Sequence, residues 1–140
     1  MTTTSELIAP CGMNCAICLA YLRTKNHCPG CRGDDTYKQA SCRSDRCTIV
    51  QCTLRQATES GFCYECPKYP CRRMKDLDKR YRTKYRMSML ENLAFIRDTG
   101  LNAFVNKETE RWRCPTCGTT ICVHRKACQN CGEPRQDMLE

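Results

Sequence analysis

The sequence predicts a small, mainly α, metal-stapled, cysteine-rich protein with an irregular N-terminal lobe, a helical connector and a C-terminal zinc ribbon. Three observations carry that prediction. Sixteen of the 140 residues are cysteine, and five pairs keep C-x-x-C spacing: Cys15/Cys18, Cys28/Cys31, Cys63/Cys66, Cys114/Cys117 and Cys128/Cys131. Phe, Trp and Tyr together make up only 7% of the chain against 27% charged residues, so a conventional core would be thin. Between the cysteine-rich ends lies a stretch without cysteine whose apolar residues recur at helical spacing.

Repeated C-x-x-C turns mean metal sites or disulfides. The first ten residues carry neither a basic n-region nor an apolar h-region, so we expect no export signal. The longest apolar run, Ala16 to Leu22, has seven residues, far short of a membrane span. Both observations lead us to expect a cytoplasmic chain with no membrane association, where structural disulfides rarely persist. The cysteines are then metal ligands. Metal–thiolate bonds would replace the missing core energy, and removing the metal is expected to unfold much of the chain.

Charge and cysteine divide the chain into three. Residues 1–71 hold eleven cysteines with eight basic and six acidic residues. Residues 72–113 hold no cysteine, with twelve basic and six acidic. Residues 114–140 hold five cysteines and are neutral. We therefore expect an N-terminal metal- or cluster-binding lobe, a basic helical connector and a ribbon. The formal net charge of +8 counts every cysteine as neutral. Dianionic four-thiolate centres would cancel most of it, so the overall balance says little about nucleic acid.

In the connector, Met74, Leu77, Tyr81 and Tyr85 form one apolar stripe. Ser88-Met-Leu-Glu91 fits a capping box opening a second helix, and Gly100 is a natural stop. A third helix is expected over about Asn102 to Glu110, carrying Phe104 and Val105 toward Trp112.

At the C-terminus, Cys114-Pro-Thr-Cys117-Gly and Cys128-Gln-Asn-Cys131-Gly are two knuckles, each followed by a glycine that tolerates the tight turn. Together they suit a closed, tetrahedral four-cysteine zinc site, with rubredoxin-like iron as the alternative. Between them lie Cys122 and His124. We expect Cys122 to pack as a small apolar residue and His124 to sit on the surface; the sharper reading makes one of them a ligand. Trp112 is expected to pack against the ribbon.

At the N-terminus, Cys11-x3-Cys15-x2-Cys18 runs into Leu19-Ala-Tyr-Leu22, and we expect Cys15 and Cys18 to share the first turn of a short helix. There the positive helix end favours thiolate. Cys28-Pro-Gly-Cys31, Cys42, Cys47, Cys52 and Cys63-x2-Cys66-x4-Cys71 follow. Two readings stay open. With zinc, Cys15, Cys18, Cys28 and Cys31 form one site and Cys47, Cys52, Cys63, Cys66 and Cys71 supply a second, Cys11 and Cys42 assisting or left over. With a 4Fe-4S cluster, the C-x3-C-x2-C triad holds three irons and another cysteine the fourth. His27 is an additional candidate ligand, its plainer reading being a solvent-facing side chain. The same triad marks radical S-adenosylmethionine enzymes, but the chain is too short for their barrel.

Nine basic residues lie between Lys68 and Arg86, with Tyr64, Tyr69, Tyr81 and Tyr85 interleaved. Arg72, Arg73, Lys79, Arg80, Arg82, Lys84 and Arg86 are the candidate partner-binding residues, for an acidic protein surface or, more weakly, unpaired nucleic acid. The structural alternative has these arginines neutralising thiolate-bound metal.

Four motifs together carry a resemblance: Pro10-Cys-Gly-Met-Asn-Cys-Ala-Ile-Cys-Leu-Ala-Tyr-Leu22, Cys28-Pro-Gly-Cys-Arg32, Cys47-Thr-Ile-Val-Gln-Cys52 and Phe62-Cys-Tyr-Glu-Cys-Pro-Lys-Tyr-Pro-Cys71. Over about residues 8–100 the chain resembles a cysteine-rich domain-of-unknown-function family of microbial proteins. The resemblance implies a small soluble cytosolic protein and supplies no activity; the ribbon looks like an extension to it. The function expected from the residues is a non-enzymatic metal-binding accessory protein that transfers electrons or supports a metalloenzyme partner. The alternative is a zinc-structured adaptor binding RNA or an acidic protein through the basic helix. No Ser/His/Asp set or phosphate loop points to an enzyme.

Overall fold

A computed structural model describes residues 3–138. Five α-helices organise it: α1 (Leu19–Leu22), α2 (Thr53–Gln56), α3 (Arg72–Tyr85), α4 (Met89–Thr99) and α5 (Leu101–Arg111). Among the described residues no β-strand forms, and pairing is limited to isolated bridges, two of them in the ribbon. No helix among those residues is long and apolar enough to cross a membrane.

The connector helices follow from local sequence chemistry. Along α3 the stripe buries Met74 and Leu77 and half-buries Tyr81 and Tyr85. Ser88 caps α4, its Oγ accepting from the Glu91 N–H at 3.1 Å. The same hydroxyl donates to the buried carboxylate of Asp78 on α3, which also accepts from Leu90 N–H. One residue pair thus starts α4 and fixes it to α3. Gly100, at φ +99, ends α4 and directly caps α5. That shared cap starts the third helix at Leu101, one residue earlier than the sequence suggests.

These helices clamp the cysteine-bearing N-terminal loop. Asn92 donates to Gly12 O at 2.9 Å, and buried Glu108 accepts from Asn14 Nδ2 and Trp112 Nε1. Gly12 has φ +90, and a Cβ there would meet Leu93 Cγ and Met89 O at 3.0 Å. Glycine is required because α4 lies directly against the loop. Ile8, Ile17, Leu93, Phe104 and Val123, all at or near zero exposure, join the N-terminal lobe, connector and ribbon into one core. Cys15 opens a 3-10 turn (Cys15–Ile17) that Cys18 closes through its N–H to Cys15 O at 3.1 Å before capping α1, so the two share a turn that precedes the helix and is not its first turn.

The ribbon docks through His124, which corrects the expectation of a free surface histidine. Leu19 N–H donates to His124 Nδ1 at 3.2 Å, and His124 Nε2 lies 3.0 Å from Tyr81 Oη. Because Nδ1 accepts, the neutral ring carries its proton on Nε2 and donates it to Tyr81. Val123 N–H bonds to Ile17 O at 2.8 Å beside it. Arg135, buried and paired with Asp137, reaches Tyr85 O, and its guanidinium lies 4.8 Å from the Trp112 ring centre. Cys122 is buried, and Trp112 packs into the ribbon through Ile121 N–H.

Two tests follow from this packing. Ser88→Ala should cost about 1–2 kcal/mol in urea unfolding of the metal-loaded protein, since it removes a cap and a buried donor together. Burial first, then the charges of Arg80 and Arg135, lowers the His124 pKa below its usual 6.5. A lowered histidine value means its stabilisation is complete above the ordinary pKa and is lost as pH falls through the folded one. Protonation at Nδ1 opposes the Leu19 bond. The melting temperature should therefore drop between about pH 7 and pH 5 in the native protein, and drop less in His124→Gln.

Candidate metal centres

Two copies of one turn build the ribbon site. Cys114 N–H bonds to Thr119 O at 2.8 Å and Gly118 N–H to Cys114 O at 2.9 Å; Cys128 with Glu133 and Gly132 repeats both bonds at the same lengths. Gly118 (φ +78) and Gly132 (φ +82) occupy the left-handed position that each knuckle needs. The four Sγ atoms of Cys114, Cys117, Cys128 and Cys131 all lie within 4.8 Å of one another, with two pairs at 3.6 Å. Metal–sulfur bonds of about 2.3 Å directed tetrahedrally set sulfurs about 3.8 Å apart. The four cysteines can therefore hold one metal ion. Hydrogen bonds from Asn130 and then Thr119 pull the Cys117 thiol down to about 5, favouring the ligating thiolate.

The eleven N-terminal cysteines separate into two groups, each around its own cavity. Cys11, Cys15, Cys18, Cys28, Cys31, Cys42 and Cys47 line a cavity of about 130 Å³, walled by Ala9, Met13, Ile49, Leu77 and Met89. Three successive features of the sequence deliver them. The Pro10–Gly12 loop held by α4 supplies Cys11, the 3-10 turn and cap of α1 supply Cys15 and Cys18, and the Cys28-Pro-Gly-Cys31 knuckle faces them. Gly30, at φ +100, lets Cys31 N–H reach Cys15 Sγ at 3.3 Å. Buried Lys38 anchors the far side through Cys31 O, Gly33 O and Asp35. Burial pushes the Cys15 thiol up to about 12 and raises Cys11, Cys18, Cys31 and Cys42, with neighbouring thiols adding to each. Thiols in this apolar space stay protonated until a cation displaces the proton.

Cys52, Cys63, Cys66 and Cys71 line a second cavity of about 170 Å³. Cys52 and Cys71 cap α2 and α3, while Cys63 and Cys66 begin and follow a 3-10 turn. Burial pushes Cys63 up to about 12, partly opposed by Arg55. Ile49 and Arg73 border both cavities. Cys47 therefore falls on the first cavity and Cys52 on the second, a division that differs from grouping Cys47 with the later cysteines. Ile49, 5% exposed, lies between the two cysteines in sequence and borders both cavities.

Of the remaining candidates, His27 is exposed and packs 4.7 Å from the Tyr21 ring, apart from every cysteine group. His124 borders the first cavity with both nitrogens hydrogen-bonded. Cys122 is buried outside all three groups. On the basic helix, Arg73 and Arg80 border the first cavity, Arg72 and Arg82 pair with Asp76 and Asp78, and Lys79 and Lys84 are exposed. Arg86, in the left-handed conformation, ends α3 and accepts from Arg111 at its carbonyl. Sequence reasoning missed Arg55 and Lys38, two buried cations beside the thiols. Lys38 in a loop and Arg55 in the four-residue α2 lie in segments too short to carry a periodic signal, and only the fold shows that they are inside.

No curated protein and no solved structure matches the chain. A family model, described as "Protein of unknown function (DUF3795)", matches residues 7–76. That segment is half of the chain and ends in the second turn of α3, short of the residue 100 to which the sequence resemblance extends. It carries both cysteine-lined cavities' eleven thiols, and the ribbon lies outside it. The chain belongs to the DUF3795 family, proteins of unknown function.

Proposed function

We propose that this protein is a non-enzymatic iron–sulfur carrier that passes electrons to or from an acidic metalloenzyme partner, with a structural zinc in its ribbon. One observation carries the reading: seven cysteines surround a single apolar cavity. Seven thiols exceed the four that a single tetrahedral ion takes, which suits a polynuclear cluster. An iron–sulfur cluster held there would supply one-electron transfer.

The chain's own residues would set the terms of that transfer. Apolar walls exclude water, and N–H donors such as that of Cys31 bond to cysteine sulfur, two of the levers that tune a cluster's potential. Arg73 and Arg80 at the cavity offset negative charge. Beside them, exposed Lys79 and Lys84 and partly paired Arg82 give a basic rim suited to an acidic surface.

Anaerobically purified protein should contain iron and inorganic sulfide and show visible absorbance that bleaches with dithionite. Cys15→Ala and Cys28→Ala should each remove iron and colour while zinc at the ribbon stays. Protein that holds zinc alone, without iron or visible absorbance, would overturn the electron-transfer reading and favour a zinc-structured adaptor.

A further inference from the structure

Buried cations need buried counter-charge, and among the described residues one lacks it. Among the described residues three cationic side chains are buried: Lys38, Arg55 and Arg135. Lys38 pairs with Asp35 and Arg135 with Asp137. Arg55, 8% exposed, makes no ion pair with a carboxylate among the described residues. Its guanidinium is held instead by three carbonyls: Ile49 O at 2.9 Å, Gly61 O at 2.6 Å and Val50 O at 2.8 Å. Carbonyls fix its position but do not cancel its charge, and an uncompensated buried charge is strongly unfavourable. Arg55 borders the second cavity together with Cys52, Cys63, Cys66 and Cys71, thiols that become anionic when they bind a metal. Cys71 also caps the 14-residue α3, whose N-terminus favours negative charge.

We infer that Cys52, Cys63, Cys66 and Cys71 are the ligands of a second, separate metal centre, a four-thiolate dianion whose counter-cation is the buried guanidinium of Arg55. Four thiolates around a divalent ion carry two negative charges, and so do four thiolates on an oxidised four-iron cluster. The charge argument therefore fixes the class of centre and leaves the metal to experiment. Loading releases the thiol protons to solvent as the metal takes their place. The Ile49 side chain and the Arg73 stem separate this centre from the seven-cysteine cavity. The inference does not depend on the electron-transfer reading, because a zinc-loaded second centre would satisfy it equally.

The full-length protein, loaded anaerobically with ferrous iron and sulfide in one arm and with zinc in the other, tests it. Cys66→Ala and Cys71→Ala should each lose one centre's complement of metal in at least one arm, and the double variant no more than either single. Metal sensitive to Cys15→Ala should remain, as should the ribbon ion. Arg55→Gln should weaken metal retention at this centre by about 10–100-fold in chelator competition. Arg55→Lys keeps the charge without the planar fork and should retain the metal. Circular dichroism checks that each variant is folded. Unchanged metal content in both arms for Cys66→Ala and Cys71→Ala would overturn the site. So would loss of the same metal that Cys15→Ala removes, because one shared centre would then explain both. Metal loss in folded Arg55→Lys, or wild-type retention in folded Arg55→Gln, would overturn the counter-cation. Failure of the iron arm alone counts against the carrier proposal and leaves the second centre standing in the zinc arm.

Discussion

Compensation of charge around buried sulfur is the constraint on which the rest of this structure depends. A thiol in an apolar cavity is stable as the neutral acid, and burial, with neighbouring thiols adding to it, moves Cys15 and Cys63 far from ionisation at neutral pH. A metal bound there would reverse that preference and leave an anionic centre inside the protein. The fold supplies the matching cations: Lys38 behind the first cavity, Arg55 beside the second, and Arg73 between them. The formal positive charge of the chain is therefore in part an interior feature, tied to its cysteine content and not only to any surface partner.

Conventional packing supports this arrangement more than the composition suggests. Aromatic residues are scarce, yet Met74, Met87, Met89, Leu93 and Phe104 are fully buried and draw the loops onto the helices. Buried polar side chains then fix the register. Asn14, Asn92 and Glu108 bond across elements distant in sequence and Asp78 ties α4 to α3, so protein contacts themselves position the loop that bears Cys11 and Cys15.

Much of this was legible in the sequence. The α3 stripe, the Ser88 cap and the Gly100 stop are local signals, and local signals survive folding unchanged. The ribbon was legible for the same reason, since its two knuckles sit only ten residues apart. What the sequence did not reveal was the sorting of cysteines 11 to 71. Their partition is set by the fold, and an apolar residue flanked by two cysteines gives no hint of which side each will face. His124 was likewise hidden, because its partners Leu19 and Tyr81 are 105 and 43 residues away. Arg55 carries no signal in the sequence, because the carbonyls that cradle it are brought around it only by the fold.

The wall formed by Tyr81 and His124 has a consequence for how the family domain is completed. Both residues border the seven-cysteine cavity, and both lie beyond residue 76, where the family match ends. The matched segment brings the sulfur, but one side of its enclosure is borrowed from the later helices and the ribbon. A ribbon that looks like a detachable appendage in the sequence is, in three dimensions, part of the housing.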